Sequence, residues 1–179
     1  MEIDLAMAQA LGFQKLKYAF VERERRWLCR DVPHDRVLYA EAITDLYVAG
    51  TRLRLREARP LDGGPPQRRI ARKADVDART RLITSIYLSE AEFALLADLP
   101  GERIHKVRHH LAAVDGVSIS VDRFEGPLAG LVMAEAEFES EAAMDVFPTP
   151  DFAIREVTDD PHYSGGMLVA HGLPVDVGG

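Results

Sequence analysis

Charged residues recur at every second position in segment after segment of this chain, with apolar residues between them. VERERRWL, residues 21–28, sets Glu22, Glu24 and Arg26 on one side of an extended strand, with Val21, Arg23, Arg25 and Trp27 on the other. TRLRLRE places Arg52, Arg54 and Arg56 together, IARKAD offers Lys73, and IHKVRHH sets Lys106 beside Arg108. VSISVDRF turns Ser118, Ser120 and Asp122 one way and Val117, Ile119 and Val121 the other. LVMAEAEFES does the same with Glu135, Glu137 and Glu139 against Val132, Ala134, Ala136 and Phe138. This period of two describes sheet with one dry and one polar face.

Charges that merely faced bulk water would have no reason to segregate into carboxylate-rich and guanidinium-rich strands. A closed barrel with a polar interior accounts for all of them together. Burying many cations side by side costs several kcal/mol each unless a counter-charge enters. A polyanion with a divalent cation satisfies both sets. Arginine forks match phosphate oxygens in bidentate fashion, and clustered carboxylates suit Mg²⁺ or Mn²⁺.

At 179 residues the chain is sized for one domain, and 47% hydrophobic with 28% charged residues is the composition of a globular protein. The net charge of −7 argues against non-specific nucleic-acid binding. One cysteine, Cys29, allows no internal disulfide and suits a reducing cytoplasm. The N-terminus carries acidic Glu2 and Asp4 where a secretory leader has basic residues, and no window has the apolar length of a membrane span.

Strands are expected at 18–29, 46–57, 68–75, 80–88, 103–112, 116–124 and 129–139, with a short one near 154–158. Helices are expected at 89–101, where Ser89 and Glu92 form a capping box, at 140–147, at 35–43, and from about Asp4 to Leu16. ARPLDGGPPQRR, residues 58–69, reads as a connection. The class is therefore α+β and mainly antiparallel. Trp27 and Phe124 read as packing residues and Cys29 as a bystander. His105, His109 and His110 do not make a metal site, because adjacent residues face opposite sides of a strand.

In order along the chain, these segments resemble the CYTH family, the triphosphate tunnel metalloenzymes. Glu22, Glu24 and Arg26 resemble its Glu-x-Glu-x-Lys motif, and Arg52 and Arg54 its paired-arginine strand. Lys73 falls at the next strand's lysine, and Lys106 to Arg108 resembles its Lys-x-Arg strand. Asp122, Glu135 and Glu137 match its aspartate and closing Glu-x-Glu run, and Glu156 its Glu-Val-Thr segment. The resemblance implies an eight-stranded antiparallel β-barrel, a triphosphate tunnel, over residues 18–179, with short helices outside and residues 1–17 as a helical extension. It implies metal-dependent hydrolysis of inorganic triphosphate or a similar linear triphosphate. Arg26, Arg52, Arg54, Lys73 and Arg108 would bind phosphate, and Glu22, Glu24, Glu135 and Glu137 would hold Mg²⁺ or Mn²⁺. Lys106 and Tyr47 match a pair that activates water in some relatives, which requires burial and cationic neighbours to lower the Lys106 pKa. Arg81, Asp122 and Glu156 are secondary candidates.

Two departures stand out. Where the family has Arg-x-Glu-x-Glu, RLITSIYLSE keeps Arg81 but has Ile83 and Ser85, and Arg26 replaces a lysine. These substitutions leave open a non-catalytic polyphosphate or nucleotide sensor with the same tunnel, while an adenylate cyclase would need an adenine pocket that the sequence does not reveal. The expected ligand is a triphosphate-containing small molecule, with neither nucleic acid nor membrane as partner. Oligomeric state is open, a homodimer included. By parity Arg23 and Arg25 should face outward, where an exposed ion pair contributes at most about 1 kcal/mol.

Overall fold

A computed structural model of the protein describes residues 3–175. Its strands are β1 (Phe20–Cys29), β2 (Val37–Val48), β3 (Leu53–Pro60), β4 (Gln67–Asp75), β5 (Thr80–Tyr87), β6 (Gly101–Leu111), β7 (Ile119–Phe124), β8 (Val132–Glu137) and β9 (Ala153–Glu156). They pair antiparallel in the order β5-β4-β3-β2-β6-β7-β8-β1, and β5 pairs back onto β1, closing eight strands into a barrel. β9 lies outside the ring, against the end of β1 that β5 does not reach. The expected eight-stranded antiparallel barrel is present, with one strand added outside it.

Alternation decides which face is dry. On the outer face, Trp27, Val121, Ala134, Ala136 and Phe138 pack with α3 (Glu141–Val146) and Phe147. Leu46, Val48 and Leu55 pack under α2 (Glu90–Ala97) through Phe93 and Leu96. Ala74, Leu82 and Val21 are covered by Ala8 of α1 (Leu5–Ala10) and by Phe13. Each fully buried large apolar side chain contributes about 1.5–3 kcal/mol, and these three clusters lie outside the barrel wall, leaving most of its interior to charged residues.

The helix ends follow from local chemistry. Ser89 caps α2 by accepting from the Glu92 N–H at 3.3 Å, while the Glu92 carboxylate accepts from the Ser89 N–H at 2.7 Å. α1 is shorter than expected because Gly12 turns left-handed at φ +85°, where a side chain would stand 2.5 Å from the Arg72 guanidinium.

Two expectations are corrected. DRVLYAEAI is not a helix: a 3-10 turn over His34–Arg36 leads into β2. Its helix-forming Ala, Glu and Leu are overruled by pairing with β6 over eleven positions and with β3 over seven. The single strand expected at 46–57 is instead the hairpin β2–β3, turning at Gly50 with φ +70°. A further helix, α4 (Gly165–His171), was not expected. Its Leu168, with Tyr163, joins Ile104, Phe124, Leu131 and Met133 to fill one end of the barrel with apolar side chains. Among the described residues no helix is long and apolar enough to cross a membrane.

Candidate active site

The barrel encloses a cavity of about 430 Å³ lined by seven arginines and two lysines with interleaved carboxylates. The inward positions are those the alternation assigned: 22, 24 and 26 on β1, 54 and 56 on β3, 73 on β4, 106 and 108 on β6, and 135 and 137 on β8. Tyr47, Arg52 and Arg81 also face it.

On one wall the cations rest on Asp122, which is wholly buried beneath them. Arg108 donates to both Asp122 oxygens at 2.7 Å, Lys106 donates to the same carboxylate, and Arg108 also reaches Glu135. Burial alone would raise Asp122 and Glu135, but Arg108 and Lys106 outweigh it and hold both below the usual carboxylate range. Lys106 moves down, because burial and neighbouring Arg108 outweigh the attraction of Asp122.

The opposite wall carries the first motif. Glu22 accepts from Lys73 at 3.1 Å and stands 3.7 Å from Arg81, which is 3.0 Å from Glu24. Burial, with Arg54 and Arg81 nearby, lowers Lys73 to about 8 despite Glu22. Arg26 is committed to the fold as well as to the cavity: its guanidinium donates to the carbonyls of Tyr163, Thr158 and Ala78 at 3.1–3.3 Å. Glu24 lies directly across from Glu137, and Arg26 across from Glu135. Like charges so placed repel. Glu137 is raised by burial and by Glu22 and Glu135, and Glu24 by burial and the same two carboxylates, against the pull of Arg81.

The third wall was only partly anticipated. Asp45, 1% exposed, accepts from Arg56 at 2.6 Å through each oxygen and lies 3.6 Å from Arg54. Arg69 on β4 is the cross-strand partner of Arg56 and also lines the cavity. Asp45, Arg56 and Arg69 were not among the expected site residues, although Arg56 showed the required parity and QRRIARKAD aligns Arg69 with Lys73. Burial and Asp45 raise the Tyr47 phenol, against Arg54, so it is held protonated. Its hydroxyl sits where a side chain on Gly165 would come within 2.0 Å, which is why α4 begins with glycine. Arg52 donates to the Leu11 carbonyl at 3.1 Å at the cavity rim.

Glu156 does not belong to this cavity. Its carboxylate accepts from outward-facing Arg25 at 2.8 and 2.7 Å, because β9 lies outside the ring. Arg25 is not an exposed surface charge either. It also donates to the carbonyls of Met144 and Phe147 and lies over the Trp27 ring, so the outward direction holds while the expected small contribution does not. The histidines diverge: His105 meets Thr44, His109 the Val121 carbonyl and His110 Glu41. Ile83 and Ser85 face the cavity, and Ile83 lies across from both Phe20 and Lys73.

In chemistry the donor set fits a hard divalent cation. Glu22, Glu24, Glu135 and Glu137 are oxygen donors on adjacent strands, and the mutual repulsion at Glu24 and Glu137 is the kind a cation relieves. Among the described residues no three carboxylate, histidine or cysteine side chains are gathered closely enough to grip one, since Arg81, Lys73 and Arg108 hold three of the four.

No family model matches the chain. Over 68 residues it is 37% identical to the inorganic triphosphatase of Nitrosomonas europaea, a stretch covering 38% of this chain and 45% of that protein. Over 66 residues it is 44% identical to the inorganic triphosphatase of Acetivibrio thermocellus, covering 37% and 40%. The matched stretch thus spans less than half the length of each of these curated relatives. Among solved structures, the fold resembles the protein NE1496 with a TM-score of 0.57 at 25% identity, covering 83% of this chain and 97% of that one. A second structure, of the inorganic triphosphatase NE1496, gives 0.56 at 24%, covering 83% and 93%. The PH1819 protein of Pyrococcus horikoshii gives 0.54 at 21%, covering 69% and 82%.

Proposed function

We propose that the chain is a triphosphate tunnel protein of the CYTH type, a reading supported by its likeness to two inorganic triphosphatases and to NE1496, and that it hydrolyses inorganic triphosphate with the help of a divalent cation. The observation that carries the reading is a barrel interior lined by seven arginines and two lysines, more cations than its carboxylates neutralise, which favours an anionic ligand. The likeness to two inorganic triphosphatases supports inorganic triphosphate as that anion.

Arg52, Arg54, Lys73 and Arg108 bind the phosphate chain, and Arg26 supports it from the first strand. Glu22, Glu24, Glu135 and Glu137 would hold Mg²⁺ or Mn²⁺. Such an ion, when bound, supplies positive charge to the phosphate oxygens. Phosphoryl transfer depends mainly on positioning and on charge neutralisation at those oxygens. Water adds to a terminal phosphorus, the bond to the bridging oxygen breaks, and orthophosphate and pyrophosphate leave. The proton released by the water passes to Lys106 in its neutral form, which burial and Arg108 favour against the pull of Asp122. Tyr47, held protonated, orients the water by hydrogen bonding. A reducing, cytoplasmic setting suits the free Cys29 and belongs to the same reading.

One observation favours a second reading, a tunnel that binds without turnover. Ile83 and Ser85 stand inside the cavity at the positions where the family resemblance leads to an expectation of two further carboxylates. The deciding experiment is phosphate release from triphosphate with Mg²⁺ or Mn²⁺, set beside calorimetric binding. Metal-dependent release is expected. Tight binding with no release in either metal would replace the hydrolase by a sensor.

A further inference from the structure

Charge is not evenly matched around the cavity wall. Lys106 and Arg108 meet Asp122 and Glu135, cation for carboxylate. Lys73 and Arg81 meet Glu22 and Glu24. On β2, β3 and β4, three guanidinium groups, Arg54, Arg56 and Arg69, share the single carboxylate Asp45. Arg56 and Arg69 are direct cross-strand partners, a placement in which like charges repel. Arg69 makes no ion pair among the described residues, and burial with Arg56 and Arg54 beside it pushes its guanidinium down.

We propose that Arg69, together with Arg54 and Arg56, forms a subsite for a terminal phosphoryl group, in which Arg69 is a specificity-determining residue that faces the ligand directly. A terminal phosphoryl carries three oxygens, so it can accept from Arg69 and Arg56 at once and supply the missing negative charge. Asp45 positions Arg54 and Arg56 and leaves Arg69 without a carboxylate of its own. The corner is thereby kept cation-rich until a ligand enters. This assignment rests on the triphosphate reading above and adds where one end of the chain lies.

The test uses the whole protein and compares Arg69→Gln, Arg69→Lys and Arg59→Gln, the last removing an exposed, outward arginine paired with Glu57. Affinity for inorganic triphosphate and for ATP is measured by calorimetry, and melting is followed without ligand. Arg69→Gln should weaken triphosphate binding about 10- to 100-fold, the loss expected for a charge-assisted contact. Without ligand it should melt about 1–3 °C higher, because a repulsive neighbour is gone. Arg69→Lys should recover part of the affinity, and Arg59→Gln should change binding less than about twofold. A residue with a merely structural role would lower the melting temperature instead, and that outcome overturns the assignment, as does unchanged affinity for both ligands. Loss with inorganic triphosphate assigns the free chain to the subsite, and loss with ATP alone assigns an esterified one. Because the readout is binding, a parent that binds without turnover removes the hydrolase reading and leaves the subsite intact. Turnover with Arg69→Gln at full affinity does the reverse.

Discussion

Asp45 sits on one wall of the cavity with both oxygens bonded to Arg56 and Arg54 nearby, wholly removed from water. Removing one partner of a buried ion pair costs about 3–5 kcal/mol, because the other charge is left uncompensated. Burial works to raise this carboxyl, but the two arginines outweigh it and hold it far below its ordinary value of 3.8. The sign follows from that depression. The stabilisation is fully present above the unfolded value and is lost as the pH falls below it, where the unfolded chain takes up a proton the folded one refuses. Asp45→Asn should therefore be markedly less stable at neutral pH, and its melting temperature should fall less steeply than the parent's between pH 5 and 2. Thermal melts across that window check it, and parallel curves for the two proteins would refute it. Asp45 falls between the helix expected at 35–43 and the strand expected at 46–57, so its inward direction was not read from the sequence. What no local pattern reveals is that its strand stands next to Arg56, since strand pairing is a property of the assembled barrel.

β1 shows how far one element can be read from its own residues and where that stops. Alternation correctly sends Glu22, Glu24 and Arg26 inward and Arg25 outward, because a strand reverses direction at each residue. The weight of Arg25 depends on what arrives from distant parts of the chain, namely Glu156 and the carbonyls of Met144 and Phe147. Arg25→Ala leaves those acceptors without a donor, and a stability loss of about 2–4 kcal/mol is expected by denaturant melts. Glu24→Ala, one residue away, should lower triphosphate turnover by about a hundredfold or more. If Arg25→Ala stays within about 0.5 kcal/mol of the parent, or if Glu24→Ala turns over at the parent rate, the two faces have been misassigned. β2 was misread for a related reason. VLYAEAI has the composition of a helix, and only its long pairing with β6 makes it a strand. α4 escaped notice because a seven-residue helix opening on two glycines carries almost no periodic signal.

At the scale of the whole molecule the usual arrangement is largely inverted: three apolar clusters lie outside the barrel under short helices, a fourth plugs one end, and charges line the rest of the interior. A ligand that fills such an interior binds the folded state alone, so triphosphate at a hundred times its dissociation constant should add about 2.7 kcal/mol of stability. Thermal melts with and without triphosphate, at fixed metal, check this; no shift at millimolar concentration would count against the proposed ligand. The closure of the ring has a further consequence. β1 and β5 are joined by four residue pairs, whereas β2 and β6 share eleven, so the barrel is fastened at a short clasp. Local opening takes place where the fewest hydrogen bonds must break together. Backbone amides along that clasp should exchange with deuterium well before those of β2 and β6. Glu22 and Arg81, which face each other across it, are themselves cavity residues, so an occupied tunnel should slow that exchange more than any other in the wall.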